Sequence, residues 1–135
     1  MYLQMPQMMQ DKNLFEYAVI RVVPRVEREE FINVGVILYC SKRKFLKCSY
    51  VIDELKIGTL CNELDLEQLG LNLDAFARIC LGGKNAGPIG QLDAASRFRW
   101  LTATRSTVVQ CSKVHPGFCD DPEQALERLK QTLVL

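Results

Sequence analysis

Apolar residues come in short β-branched runs near the two ends of this chain and in a helical rhythm through its middle. The run Phe15 to Val23 (FEYAVIRVV) mixes aromatic and β-branched residues and stops at Pro24. It is apolar on both faces apart from Arg21, which predicts a central strand of a sheet. A charged linker, RVEREE, turns into a second strand, Ile32 to Cys40 (INVGVILYC). Gly35 inside that strand predicts a bulge or a close backbone approach. Past the polar group SKRK, Phe45 to Val51 alternates as a third strand, with Leu46, Cys48 and Tyr50 on one face and Lys47 and Ser49 on the other. So short a polar connection makes strands two and three an antiparallel hairpin.

Then the period changes. Asp53 is placed to cap a short helix over 54–61, and Leu66, Leu69, Leu73, Phe76, Ala77 and Cys80 mark a longer one over 65–81. Gly82-Gly83 stops it, and GGKNAGPIG reads as a flexible surface connection. A short helix over 91–97 leads into extended backbone, and Ser106 to Cys111 is the fourth strand. Asp121, Pro122 and Gln124 take the N-cap, first-turn and capping-box positions of a last helix. Its Leu126, Leu129 and Leu133 stripe docks on the core.

Strands before and after a helical middle, without βαβ alternation, predict an α+β fold. The expectation is a mostly antiparallel four-stranded sheet in the order β-β-β-α-α-α-β-α, with helices packed against it. Residues 15–135 form one domain on this reading, and residues 1–14 a frayed tail.

Composition narrows the function classes. Seventeen bases against sixteen acids give a net charge of +1, which argues against a duplex-DNA binder that needs a cationic excess. No run approaches the roughly 20 apolar residues of a membrane span, and MYLQMPQMMQ lacks the basic and apolar regions of a signal peptide. A cytoplasmic protein off the membrane, with six reduced cysteines, is the expectation. With no C-x-x-C and one histidine, the sequence predicts neither metal site nor cofactor. Cys111 and Cys119, across a short loop, are the one pair spaced for a redox bridge.

Charge is laid out in blocks. Residues 41–50 carry four bases and no acid, residues 51–74 six acids and one base, and residues 91–119 four bases and one acid. The third block holds the leading candidates, Arg97, Arg99, Arg105 and His115. In extended backbone Arg97 and Arg99 share one face and Phe98 and Trp100 the other, with both rings buried. Guanidinium forks presented together bind a phosphate or carboxylate, and His115 in the turn VHPGF adds a donor or a proton-transfer group. The competing reading pairs these arginines with the acids of 53–74.

Arg28, Glu30 and Asn33 form a secondary cluster in which Glu30 would need a raised pKa to act as a base. Asn33 is equally suited to closing a turn. Asp120 and Asp121 resemble half a metal site, yet Asp121 is better used as an N-cap. Arg21, inside an apolar strand, needs a partner such as Glu16, Asp53 or a ligand anion, unless its head reaches water. A Cys–His nucleophile pair of Cys111 or Cys119 with His115 lacks an orienting third group.

Two stretches, YAVIRVVPRVEREEFINVGVILY and RFRWLTATRSTVVQCSKVHPGFCDDPEQALERL, resemble the signature stretches of an uncharacterised bacterial family, domain of unknown function 3037. The resemblance covers most of the chain from about Phe15 onward, with the middle helices its looser part. It implies no particular chemistry. Members of that family are encoded beside HipA-like kinase proteins, so it does imply a kinase partner. The leading expectation is therefore a non-catalytic interaction or regulatory module working through residues 97–115. An enzyme acting on a phosphorylated small molecule or nucleic-acid end, with His115 as acid or base, is the alternative. Single-strand nucleic-acid binding by stacking on Phe98 and Trp100 is a third. An unpaired sheet edge would also serve a homodimer.

Overall fold

Three long antiparallel strands form the platform in the computed structural model, which describes residues 12–135. β1 (Asn13–Val22) pairs with β2 (Ile32–Cys40), and β2 pairs with β3 (Phe45–Tyr50) on its far side. β1 begins earlier than the expected Phe15, because Asn13 is buried and its Nδ2 donates to the Asp120 carbonyl at 3.2 Å. Of the expected tail, residues 1–11 lie outside the described residues.

Among the described residues the sheet has five strands rather than four. The other side of β1 takes both β4 (Val109–Cys111) and β5 (His115–Cys119), each antiparallel. The segment read as the turn VHPGF is thus a strand paired with Asn13–Tyr17. β4 and β5 are two parts of one edge, and buried Ser112 bridges the break. Its hydroxyl accepts from the Val19 N–H at 2.8 Å and donates to the Lys113 carbonyl at 2.9 Å. Ser112→Ala leaves that amide without a partner in the interior and is expected to cost about 1–2 kcal/mol. Urea denaturation measures the loss, and an unchanged midpoint would mean that the hydroxyl is dispensable.

Among the described residues five α-helices follow from local signals: α1 (Glu54–Leu60), α2 (Leu66–Leu81), the single turn α3 (Gly87–Gly90), α4 (Ala94–Thr102) and α5 (Pro122–Leu133). Aspartates cap all but α3. Asp53, Asp65, Asp93 and Asp121 accept from the backbone N–H groups of Lys56, Gln68, Ser96 and Glu123 at 3.1, 3.1, 2.7 and 3.0 Å. The glycine-rich connection is folded. Gly83 N–H donates to the Gly90 carbonyl at 3.0 Å around a 3₁₀ turn at Lys84–Ala86.

Helices cover both faces of the sheet. On one face Ala18, Ile20, Val22 and Ile37 meet Ile57, Leu73, Phe76, Phe98 and Leu101 from α1, α2 and α4. On the other, Phe15, Val36, Leu38 and Cys40 meet Ala125 and Leu126 of α5. Two-sided burial is why β1 and β2 read as nearly unbroken apolar runs. Arg21 is the exception.

Candidate functional site

The arginines of the third charge block do not share a surface. α4 continues to Thr102 instead of stopping near residue 97, so Arg97 and Arg99 sit on a helix about 200° apart. Arg97 turns toward α2. Its Nη1 donates to the carbonyls of Ile79 at 3.2 Å and Cys80 at 2.7 Å, and its Nε to that of Leu92 at 2.9 Å. It thereby satisfies open carbonyls at the C-terminal end of α2. Gly82, at φ 80°, is the residue that ends α2 and lets the guanidinium approach. Arg99 is exposed and reaches only Ser96 Oγ, at 3.3 Å. Arg105 lies over the Trp100 ring, 4.2 Å from its centroid, and donates to the carbonyls of Trp100 and Leu101.

His115 is elsewhere. Its ring packs beside that of Tyr17, centroids 5.5 Å apart, and Tyr17 belongs to the α5 face of the sheet. Arg97 caps α2 on the opposite face, so the sheet stands between the histidine and that guanidinium. The shared anion site expected of Arg97, Arg99, Arg105 and His115 does not form, because a helix replaced the extended segment and a strand replaced the turn.

The secondary cluster also separates. Arg28 and Glu30 pair with each other beside a polar pocket of about 320 Å³ that residues 58–62 close. Asn33 faces the other way, with Nδ2 donating to the Leu133 carbonyl at 3.1 Å. Asp121 serves as the α5 cap, and among the described residues no three His, Cys, Asp or Glu side chains gather as a metal site.

The cysteine pair is far apart. Cys111 pairs with Ile20 and Cys119 with Asn13, seven residues away along β1, or roughly 23 Å at the rise of a strand. No bridge can form there, and all six cysteines are free. Burial pushes the Cys111 thiol up to about 12, so near neutral pH it is protonated and a poor nucleophile.

What the packing does create is an open groove of about 570 Å³ between α2, α4 and β4. Ala75, Phe76 and Ile79 form one wall, Trp100 and Leu101 a second, and Val109 with Cys111 the floor. Trp100 is 40% exposed, contrary to the expected burial, while Phe98 is buried and stacks on Tyr39 at 5.5 Å. One indole, covered by Arg105, offers no run of rings for successive bases.

Two carbonyls of the edge beside the groove are taken by its own side chains. Thr107 Oγ1 donates to the Val109 carbonyl at 2.8 Å, and Gln110 Nε2 donates to the Thr107 carbonyl at 2.7 Å. Of this site, sequence reasoning singled out Arg105, Trp100 and Cys111 and missed the α2 wall. The available signal was the Ala75–Ile79 pair, one turn apart beside the buried Phe76 stripe.

Antiparallel pairing throughout the sheet, with helices on both faces, defines an α+β protein. Among the described residues no helix is long and apolar enough to cross a membrane. Residues 17–134 match the model of a family described as "Protein of unknown function (DUF3037)", and the chain belongs to that family. No curated protein and no solved structure matches the chain.

Proposed function

We propose that this chain is a non-catalytic binding module that seats apolar side chains of a partner protein in the groove between α2, α4 and β4. The observation that carries this reading is the groove itself, about 570 Å³ and open, with an exposed Trp100 clamped by Arg105 at its rim. That volume is in the range of specific ligand sites, and Trp and Arg dominate interaction hot spots. The capped carbonyls of Thr107 and Val109 on this edge favour side-chain insertion over strand addition. A HipA-like kinase is the partner that the family resemblance implies, in a bacterial cytoplasm where six thiols stay reduced.

Co-expression with the HipA-like kinase of the same genome tests the proposal. Ala75 is an exposed helical position on the groove wall, so Ala75→Arg fills the groove without disturbing the core. The unaltered chain is expected to co-purify with the kinase, Ala75→Arg to bind at least about tenfold more weakly, and His115→Ala to bind normally. Full binding by Ala75→Arg would remove the groove from this reading. No complex with the unaltered chain would remove the kinase.

A further inference from the structure

We propose that a second pocket, between Arg21, Arg105 and the turn that follows β1, binds a carboxylate-bearing small molecule. The pocket is about 410 Å³, lies on the other side of Gln110 from the apolar groove, and includes Val23, Phe31 and Glu29. It does not depend on the groove having a protein occupant.

Arg21 carries the argument. Its guanidinium lies over the Phe31 ring, 4.0 Å from the centroid. Among the described residues no carboxylate, neither Glu16 nor Asp53, forms an ion pair with it. Its Nε is buried without a hydrogen-bond partner. Across the ladder, Asn33 Oδ1 is buried and unpartnered too, and the two atoms do not bond to each other. Arg21 lines the pocket. A half-buried guanidinium without a counter-charge is unfavourable, and an anion bound in the pocket removes that cost.

Arg105 supplies the second fork. Two of its five N–H donors serve the carbonyls of Leu101 and Trp100, which leaves three for a ligand. Arg21 and Arg105 both line this pocket, so an anion held there meets both guanidiniums. Glu29 selects among anions. Two guanidiniums against one carboxylate at the rim leave a single positive charge to neutralise, which suits a carboxylate better than a doubly charged phosphate.

Titration of the ¹⁵N-labelled chain with acetate, and separately with inorganic phosphate, at ionic strength held constant with sodium chloride, tests the site. Acetate is expected to shift the Arg21 Nε–H signal saturably, with a dissociation constant in the millimolar range. Arg21→Gln and Arg105→Gln should each weaken binding about tenfold or more, while Arg99→Gln leaves it unchanged. Glu29→Gln should improve phosphate relative to acetate. Linear shifts, or unchanged binding in a folded Arg21→Gln chain, would overturn the proposal. Should Arg21→Gln fail to fold, Arg105→Gln decides. Tighter binding of phosphate than acetate by the unaltered chain would overturn the carboxylate assignment.

Discussion

Arg97→Ala is expected to destabilise the protein by about 3 kcal/mol, whereas Arg99→Ala, two residues away on the same helix, should stay within about 0.5 kcal/mol of the starting value. Arg97 gives three charge-assisted hydrogen bonds to main-chain carbonyls, two of them from the last turn of α2. Bonds of that type contribute roughly 1.5–3 kcal/mol each. They are not additive, and the one to Leu92 is exposed, which brings the sum down. Removing the side chain leaves the Ile79 and Cys80 carbonyls without this donor at a helix end, where no backbone N–H replaces it. Arg97→Lys should recover only part of the loss, because an ammonium cannot reproduce a fork.

Equilibrium urea denaturation of the three variants reads the difference. Equal midpoints for Arg97→Ala and Arg99→Ala would refute the capping role. There is a consequence for binding. Ile79 is part of the groove wall, so loss of the cap should weaken a groove partner that Arg97 never touches. Charge reversal at Arg97 therefore confounds folding with binding, and exposed Arg99 is the position for probing surface charge.

Gly35→Ala is expected to cost about 3 kcal/mol or more, and Gly70→Ala to stabilise by about 0.5–1 kcal/mol. Gly35 lies in β2 between Ile20 and Tyr50, beside the register shift at Ile20/Arg21. A Cβ there would sit 2.6 Å from the Ser49 carbonyl oxygen and 2.7 Å from Tyr50 Cβ. Neither atom can rotate away, because both belong to the frame of β3. Relief therefore requires moving the strand and the core beneath it. At Gly70, inside α2, the nearest atom to an added Cβ is Ile52 Cδ1 at 3.9 Å, an ordinary contact. There the substitution only removes the flexibility of the unfolded chain and a weak helix former. Thermal melts of the pair should move in opposite directions. A melt of Gly35→Ala at or above the starting temperature would show that β3 is free to shift.

Both glycines illustrate what could be read beforehand. A glycine inside β2 announced a bulge or a close approach, and the structure has both. Gly70 only lowered expectation for a helix that forms anyway, because the Leu69–Leu73–Phe76–Cys80 stripe buries enough apolar surface to outweigh it. The Asp caps at 53 and 121 were equally legible, since a cap is a contact within one turn.

The misses lie where a neighbour distant in sequence decides. Pro116 and Gly117 look like turn residues, yet the Phe15 ring lies against Gly117 from the adjacent strand, and Pro116 sits on an edge strand where a missing N–H is tolerated. The helix expected over 91–97 forms instead over Ala94–Thr102, although Asp93 with Ser96 three residues on is a usable start signal.

By itself, the sequence determined the α+β class, the central position of β1, the β2–β3 hairpin and the start of α5. Each rests on alternation, helical spacing or a cap, and these act within a few residues. Only the tertiary structure decided which carbonyls Arg97 serves, that His115 and Arg97 lie on opposite faces, and where the groove opens. A groove is the space left when α2 and β4, some thirty residues apart, pack on one sheet, and that spacing belongs to the packing of whole elements rather than to any local pattern.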